Sequence, residues 1–131
     1  MDAQQELFTA LKLALEYAEI DVYDTQLPPD GVPYPFVYLA GTTQTFFPAK
    51  GQESGYITQI IQVWGRADQR GSISALARSV IGIAMGVEQS TNYGFIVRLS
   101  DTETQIMDDN TTSTPLMQAY ISLSVFFSRR S

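Results

Sequence analysis

The run from Leu116 to Phe127 alternates without a break. Met117, Ala119, Ile121, Leu123, Val125 and Phe127 fall on one side, and Gln118, Tyr120, Ser122 and Ser124 on the other. A period of two over such a length specifies a β-strand with one face on a core and one polar face. The apolar face requires a covering layer.

Two helical patterns supply that layer. From Asp2 to Glu19, the residues Leu7, Phe8, Leu11, Ala14, Leu15 and Ala18 recur at the helical period and form one apolar stripe. Asp2 is placed to cap this helix, and Glu6 lies near the positive end of its dipole. Ala10, Leu13 and Tyr17 widen the stripe, so the helix is expected to be covered on more than one side. From Ser72 to Val87, a second stripe runs through Ile73, Leu76, Ala77, Val80, Ile81, Ala84 and Val87, with Ser72 as the expected N-cap. Ala75, Ser79, Gly82 and Gly86 form a line of small residues on this helix. Two interior glycines cost about 1 kcal/mol each relative to Ala, which points either to close approach by another element, such as a neighbouring subunit, or to fraying at the C-terminal end.

Further strands are expected at Ile20–Tyr23, Phe36–Phe47, Tyr56–Trp64 and Phe95–Leu99, the last of which Ser100–Ile106 can continue. In Tyr56–Trp64, Ile57, Ile61 and Val63 share a face, but Tyr56, Ile60 and Trp64 on the other face suggest cover there too. Between the first two strands, PPDGVPYP is turn chemistry: Pro28 and Pro29 preset φ, Asp30 bonds back to the backbone and Gly31 tolerates positive φ. Pro35 pushes Tyr34 toward extended geometry, so a strand begins at a fixed entry without presenting a free edge. Phe46–Gly55 reads as a long hairpin connection. Gly65–Gly71, Asn92–Gly94 and Asp108–Thr114 read as turns or polar loops. The whole is an α+β fold: a mostly antiparallel sheet with two helices on one face, in the order α-β-β-β-α-β-β. Residues 1–131 are expected to form a single domain, with no internal repeat.

Composition excludes much chemistry. The sequence has no Cys and no His, which removes disulfides, thiolate nucleophiles, the commonest metal ligand and the commonest general base. Its 14 acids against 8 bases give a net charge of −6. The only adjacent basic pair is Arg129-Arg130, so tight binding of nucleic-acid phosphates is not expected. An acidic wall that DNA slides past remains compatible. Mean hydropathy is near zero, no stretch has the length of a membrane span, and MDAQQELF lacks the basic start of a secretory signal. A cytoplasmic origin is the expectation. Asp108-Asp109-Asn110 lacks the ligand spacing of a calcium loop. Asp101 and Glu103 are expected to share a strand face, as exposed acids more readily than as an acid–base pair. No phosphate cradle or nucleophile elbow is present. No catalytic residue, metal or cofactor is expected. Arg66, Asp68 and Arg70 beside Trp64 fit a capped turn or an ion-pair set between subunits. Tyr34, Phe46, Phe47, Tyr56 and Tyr93 fall in or beside loops, where aromatics mark interfaces or close the ends of a core.

The order of several short patterns resembles the tail completion or tail terminator proteins of long-tailed bacteriophages. These are Val22-Tyr23-Asp24, Tyr34 to Val37, Gly41, a loop with Lys50, the strand ending Val63-Trp64, and a helix from Ser72 onward. The resemblance thins after about Ser90 and carries no catalytic signature. It implies a virion structural protein without enzymatic activity: a ring, commonly a hexamer, that caps the tail tube, stops tube polymerisation and forms the head–tail joining interface. The implied partners are further copies of the chain, the tail tube protein and a head connector or stopper, with DNA passing through the lumen without specific binding and no membrane. The implied location is the head-proximal end of the tail, after assembly in the host cytoplasm. The interface candidates are Phe46, Phe47, Lys50, Glu53 and Tyr56 on the hairpin, and Arg66, Asp68 and Arg70 on the polar turn. Head-completion or stopper proteins fit the same residues. Two other readings are a binding module with a preformed pocket under the Pro-rich loop and a small carboxylate hydrolase.

Overall fold

The strand at the C-terminal end, β6 (Leu116–Arg129), lies inside the sheet with neighbours along both edges. The computed structural model describes residues 2–24, 33–48, 51–109 and 114–130. Within these, α1 (Ala3–Tyr17) leads into β1 (Val22–Tyr23), β2 (Phe36–Phe46) and β3 (Ser54–Arg66). Then come α2 (Arg70–Met85), β4 (Tyr93–Val97) and β5 (Glu103–Asp109). The sheet order is β1-β2-β3-β6-β4, with β5 beside β4 on the same edge of β6. All pairings are antiparallel except the short β1–β2 contact. The expected α+β class and element order are observed.

The expected alternation of β6 is observed: Met117, Ala119, Ile121, Leu123, Val125 and Phe127 are buried. They join Ile57, Ile61 and Val63 of β3, Leu7, Leu11 and Leu15 of α1, and Ile73, Ala77, Val80 and Ala84 of α2 in one core. Tyr56, Thr58, Ile60, Gln62 and Trp64 on the opposite face of β3 are half-buried. Among the described residues no helix covers them, because α1 and α2 both pack on the inner face.

The expected strand running from Phe95 through Ile106 is two strands. Val97 faces Val125 and Glu103 faces Ser122, so residues 98–102 must fit opposite only Leu123 and Ser124. The excess is taken up by a 3-10 turn at Leu99–Asp101. Thr102 Oγ1 fixes the turn by donating to the Arg98 carbonyl (2.8 Å) and accepting from the Ser124 N–H (3.1 Å). Asp101 therefore sits in the turn, paired with Arg98 at 2.6 Å, and does not share a strand face with Glu103.

Asp2 caps α1 as expected, its Oδ1 accepting from the Gln5 N–H at 2.9 Å. The helix ends in a Schellman arrangement, with Ile20 N–H donating to the Leu15 carbonyl. Glu19 occupies the left-handed position, φ 62°, where a side chain is strained and Gly is favoured. Glu19→Gly is expected to raise stability by about 1 kcal/mol, read as a higher urea midpoint at unchanged m-value.

The second helix starts earlier than its sequence suggests. A 3-10 turn, Ala67–Gln69, runs directly into α2 at Arg70. Ser72 is thus inside the first turn rather than at the N-cap, where Gln69 stands without a side-chain cap bond. Gln69 instead accepts from the Arg66 N–H at 2.9 Å. Gly65 is needed here, because a Cβ would meet the Ile73 side chain at 2.7 Å. No such crowding exists at Gly82, which faces open space. The line Ala75, Ser79, Gly82 and Gly86 is exposed, so nothing among the described residues closes on it.

A bulge interrupts the β2–β3 register between Leu39 and Thr42. Gln59, fully buried on the inner face, sits beneath it. Its Nε2 lies within hydrogen-bond reach of the carbonyls of Ala40 (3.2 Å), Gly41 (3.3 Å) and Ile60 (3.0 Å). Gln59→Leu leaves the bulge carbonyls without this donor and is expected to cost about 2 kcal/mol, measured by chemical denaturation.

Candidate protein interface

The sequence-derived interface residues separate into two groups at opposite ends of β3, about 30 Å apart at 3.3 Å per residue. Phe46, Phe47, Glu53 and Tyr56 surround the hairpin, and Arg66, Asp68 and Arg70 lie at the far end. Lys50 falls outside the described residues, as do Pro28, Pro29, Asp30 and Gly31 of the Pro-rich loop.

At the hairpin end, aromatic rings close both faces of the sheet. On the inner face, Phe127 takes Phe46 and Tyr93 edge-on, with centroids 6.0 and 5.9 Å away. Phe46 remains 56% exposed, so much of its ring is free for a partner. On the outer face, Phe47 meets Tyr56 edge-on at 4.7 Å and Phe126 at 6.0 Å. The Arg98 guanidinium lies 4.2 Å from the Tyr56 centroid. Ile96, which faces Phe126 across β4 and β6, continues this patch and is 63% exposed.

Glu53 is committed within the chain. It accepts from the Tyr93 hydroxyl, and its backbone carbonyl accepts from the Arg129 N–H at 2.8 Å. The bond to Glu53, reinforced by burial, pushes the Tyr93 hydroxyl above its ordinary pKa. Tyr93 itself is buried in β4 rather than exposed on a turn, because Phe127 and Glu53 enclose it. At the far end, Arg66 pairs loosely with Asp68 (3.3 Å) and Arg70 is exposed. Arg66 and Asp68 line an open cleft of about 250 Å³ with Thr114 and Pro115, and Arg70 is not among its lining residues. Tyr34 stacks on Phe36 at 5.5 Å, anchoring the start of β2.

Other surface features were not legible as such. Leu13 and Tyr17 were expected to be covered, yet they are 62% and 92% exposed on α1. Leu13 lines a shallow cleft of about 320 Å³ with Glu6, Ser90 and Asn92. Glu6, expected only as a helix-dipole partner, is buried there and accepts from Ser90 Oγ (2.6 Å), the Asn92 N–H (3.0 Å) and Asn92 Nδ2 (2.8 Å). No sequence spacing links positions so far apart. Asp108 and Asp109 end β5 rather than belonging to a loop, and Asn110 is outside the described residues. Among the described residues, no group of three or more His, Cys, Asp or Glu stands close enough to hold a metal ion, and no helix is long and apolar enough to cross a membrane.

No family model matches the chain, and no curated protein matches its sequence. Its structure does have a match. A chain in the solved virion of a native gene transfer agent (GTA) particle superposes with a TM-score of 0.69 at 14% sequence identity. The match covers 96% of this chain and 94% of that one. The likeness is therefore one of fold, and it spans both chains almost end to end.

Proposed function

We propose that this chain is a structural protein of a phage-type virion and that it acts as a tail terminator. In this role it forms a ring, a hexamer, that caps the tail tube, halts tube polymerisation and carries the head–tail joining surface. It has no enzymatic activity. The observation that carries the reading is the whole-length fold likeness to a chain of a virion particle. The order of residues from Val22-Tyr23-Asp24 to Val63-Trp64 supports it. So does the presence of exposed groups at both ends of β3, Phe46 and Ile96 at one and Arg66, Asp68 and Arg70 at the other, which suits a body joined to a tube on one side and to a head on the other. The acidic balance fits a lumen that repels phosphate.

The test is electron microscopy of growing tail tubes, made from the tube protein of the same genome, with and without this chain. A ring at one end of each tube and an end to tube growth are expected. Binding along the tube wall, or no binding, would sink the reading. Capture by head connectors with no effect on tubes would point instead to a head-completion or stopper role.

A further inference from the structure

The sheet has two exposed lateral edges of different character. On one side, β1 covers β2 only at Val37 and Tyr38. Beyond the bulge, Thr42–Phe46 has no strand on its outer side among the described residues. On the other side, β5 pairs only with β6, so its outer side is likewise open among the described residues. The neighbouring β4 is different. The Phe95 N–H donates to the Glu88 carbonyl and the Ser90 N–H to the Tyr93 carbonyl, so a loop covers that edge.

Proteins protect open strand edges with charges, prolines or bulges. β5 has such protection: Glu103, Asp108 and Asp109 lie along it. The outer part of β2 has only the bulge at its start, between Leu39 and Thr42; Thr42–Phe46 itself reads TTQTF, without a charge or a proline. An unguarded edge of β-forming residues accepts an added strand. Charge selects what can be added. β5 against β5 of a second copy would set acid against acid, which is unfavourable. β2 against β2 is tolerated but leaves both β5 edges open. β2 against β5 sets acids only against an uncharged strand, and it is the one pairing that uses both edges of every chain.

We propose that β2 of one copy pairs through Thr42–Phe46 with β5 of the next, edge to edge. The acids of β5 act as the sorting device that forbids self-pairing. Such an interface is heterologous, so repetition either closes into a ring or runs on as a filament. Closure leaves no open edge. This inference rests on the ring reading above and names the surface that builds the ring.

The test uses the full chain and light scattering over a concentration series, with amide hydrogen exchange on the same samples. Thr43 and Thr45 are exposed, so Thr43→Glu with Thr45→Glu places acids on β2 with little effect on folding, which the thermal midpoint checks. Wild type is expected near six times 14.5 kDa, with amides of both β2 and β5 protected in the assembly. The acidic β2 variant is expected to fall about sixfold in mass, to the monomer. Adding Glu103→Lys and Asp108→Lys to it is expected to restore the ring. A ring that survives the acidic substitutions overturns the edge pairing while leaving the ring reading intact. A wild-type dimer protected on β2 alone overturns it in favour of self-pairing. Failure of the folded, charge-reversed chain to reassemble overturns the sorting role of the acids. A wild type that is monomeric throughout overturns the edge pairing, and the tube-capture experiment then decides separately whether the terminator reading stands.

Discussion

Glu6→Ala is expected to cost about 3 kcal/mol, near the top of the usual range for one substitution. In a domain of this size that corresponds to a fall of about 10 °C in Tm. The Glu6 carboxylate receives three hydrogen bonds from Ser90 and Asn92 while almost wholly out of water. From the other side, Arg130 donates to the Ser90 carbonyl at 2.7 Å through Nη1 and to the Asn92 carbonyl at 2.8 Å through its N–H. The loop between α2 and β4 is thus held between α1 and the end of β6. Removing the carboxylate frees one side of this clasp and strands two side-chain donors and an N–H. Burial raises the Glu6 pKa, but the bonds from Ser90 and Asn92 outweigh it, and the net shift is downward. A folded pKa below the unfolded value means that the Glu6 contribution is complete above about pH 4.3. It is lost as the pH falls through the lower folded value. Wild type is therefore expected to lose stability on acidification over that window, and Glu6→Gln to show a flatter profile there. An equal slope in both proteins, measured by urea unfolding at stepped pH, would contradict the clasp.

Gly55→Ala is expected to be about as damaging, at 3 kcal/mol or slightly more. Gly55 faces Phe46 across the hairpin. An added Cβ would fall inside the van der Waals envelope of the Thr45 carbonyl oxygen and stand 3.0 Å from both the Phe46 Cα and the Phe127 ring. Two of these three neighbours are backbone, so relief requires the strands to part, which also dislodges Phe46 from Phe127. Gly82→Ala is the matching control. It lies inside α2 facing open space, and the better helix former is expected to add about 1 kcal/mol. Thermal unfolding of the pair separates crowding from a general intolerance of added methyl groups. Equal small effects at both positions would refute the close approach at Gly55.

The alternation of Leu116–Phe127 and the stripes of α1 and α2 were legible because burial on one face imposes a local period on the sequence. The cap at Asp2 was legible for the same local reason. The start of α2 was not, because a 3-10 turn at Ala67–Gln69 passes directly into the helix and leaves Ser72 no cap to form. The break between β4 and β5 was also hidden. It comes from a mismatch of chain length against β6, and only the register of a partner strand distant in sequence reveals it. Of the interface candidates, Phe46 and Arg70 remain available at the surface, whereas Glu53 is engaged by Tyr93 and Arg129. Their residue types could not separate these fates.

The sequence by itself determined that α1, α2 and the long strands form, which of their faces are apolar and which chemistries are missing, because each follows from neighbours in the chain or from composition. Tertiary structure alone decided that Glu6 binds the Ser90–Asn92 loop, that Gln59 fills the bulge and that, among the described residues, β2 and β5 are left as the open edges. Each of these depends on which distant segments lie side by side, and no local period in a sequence encodes that.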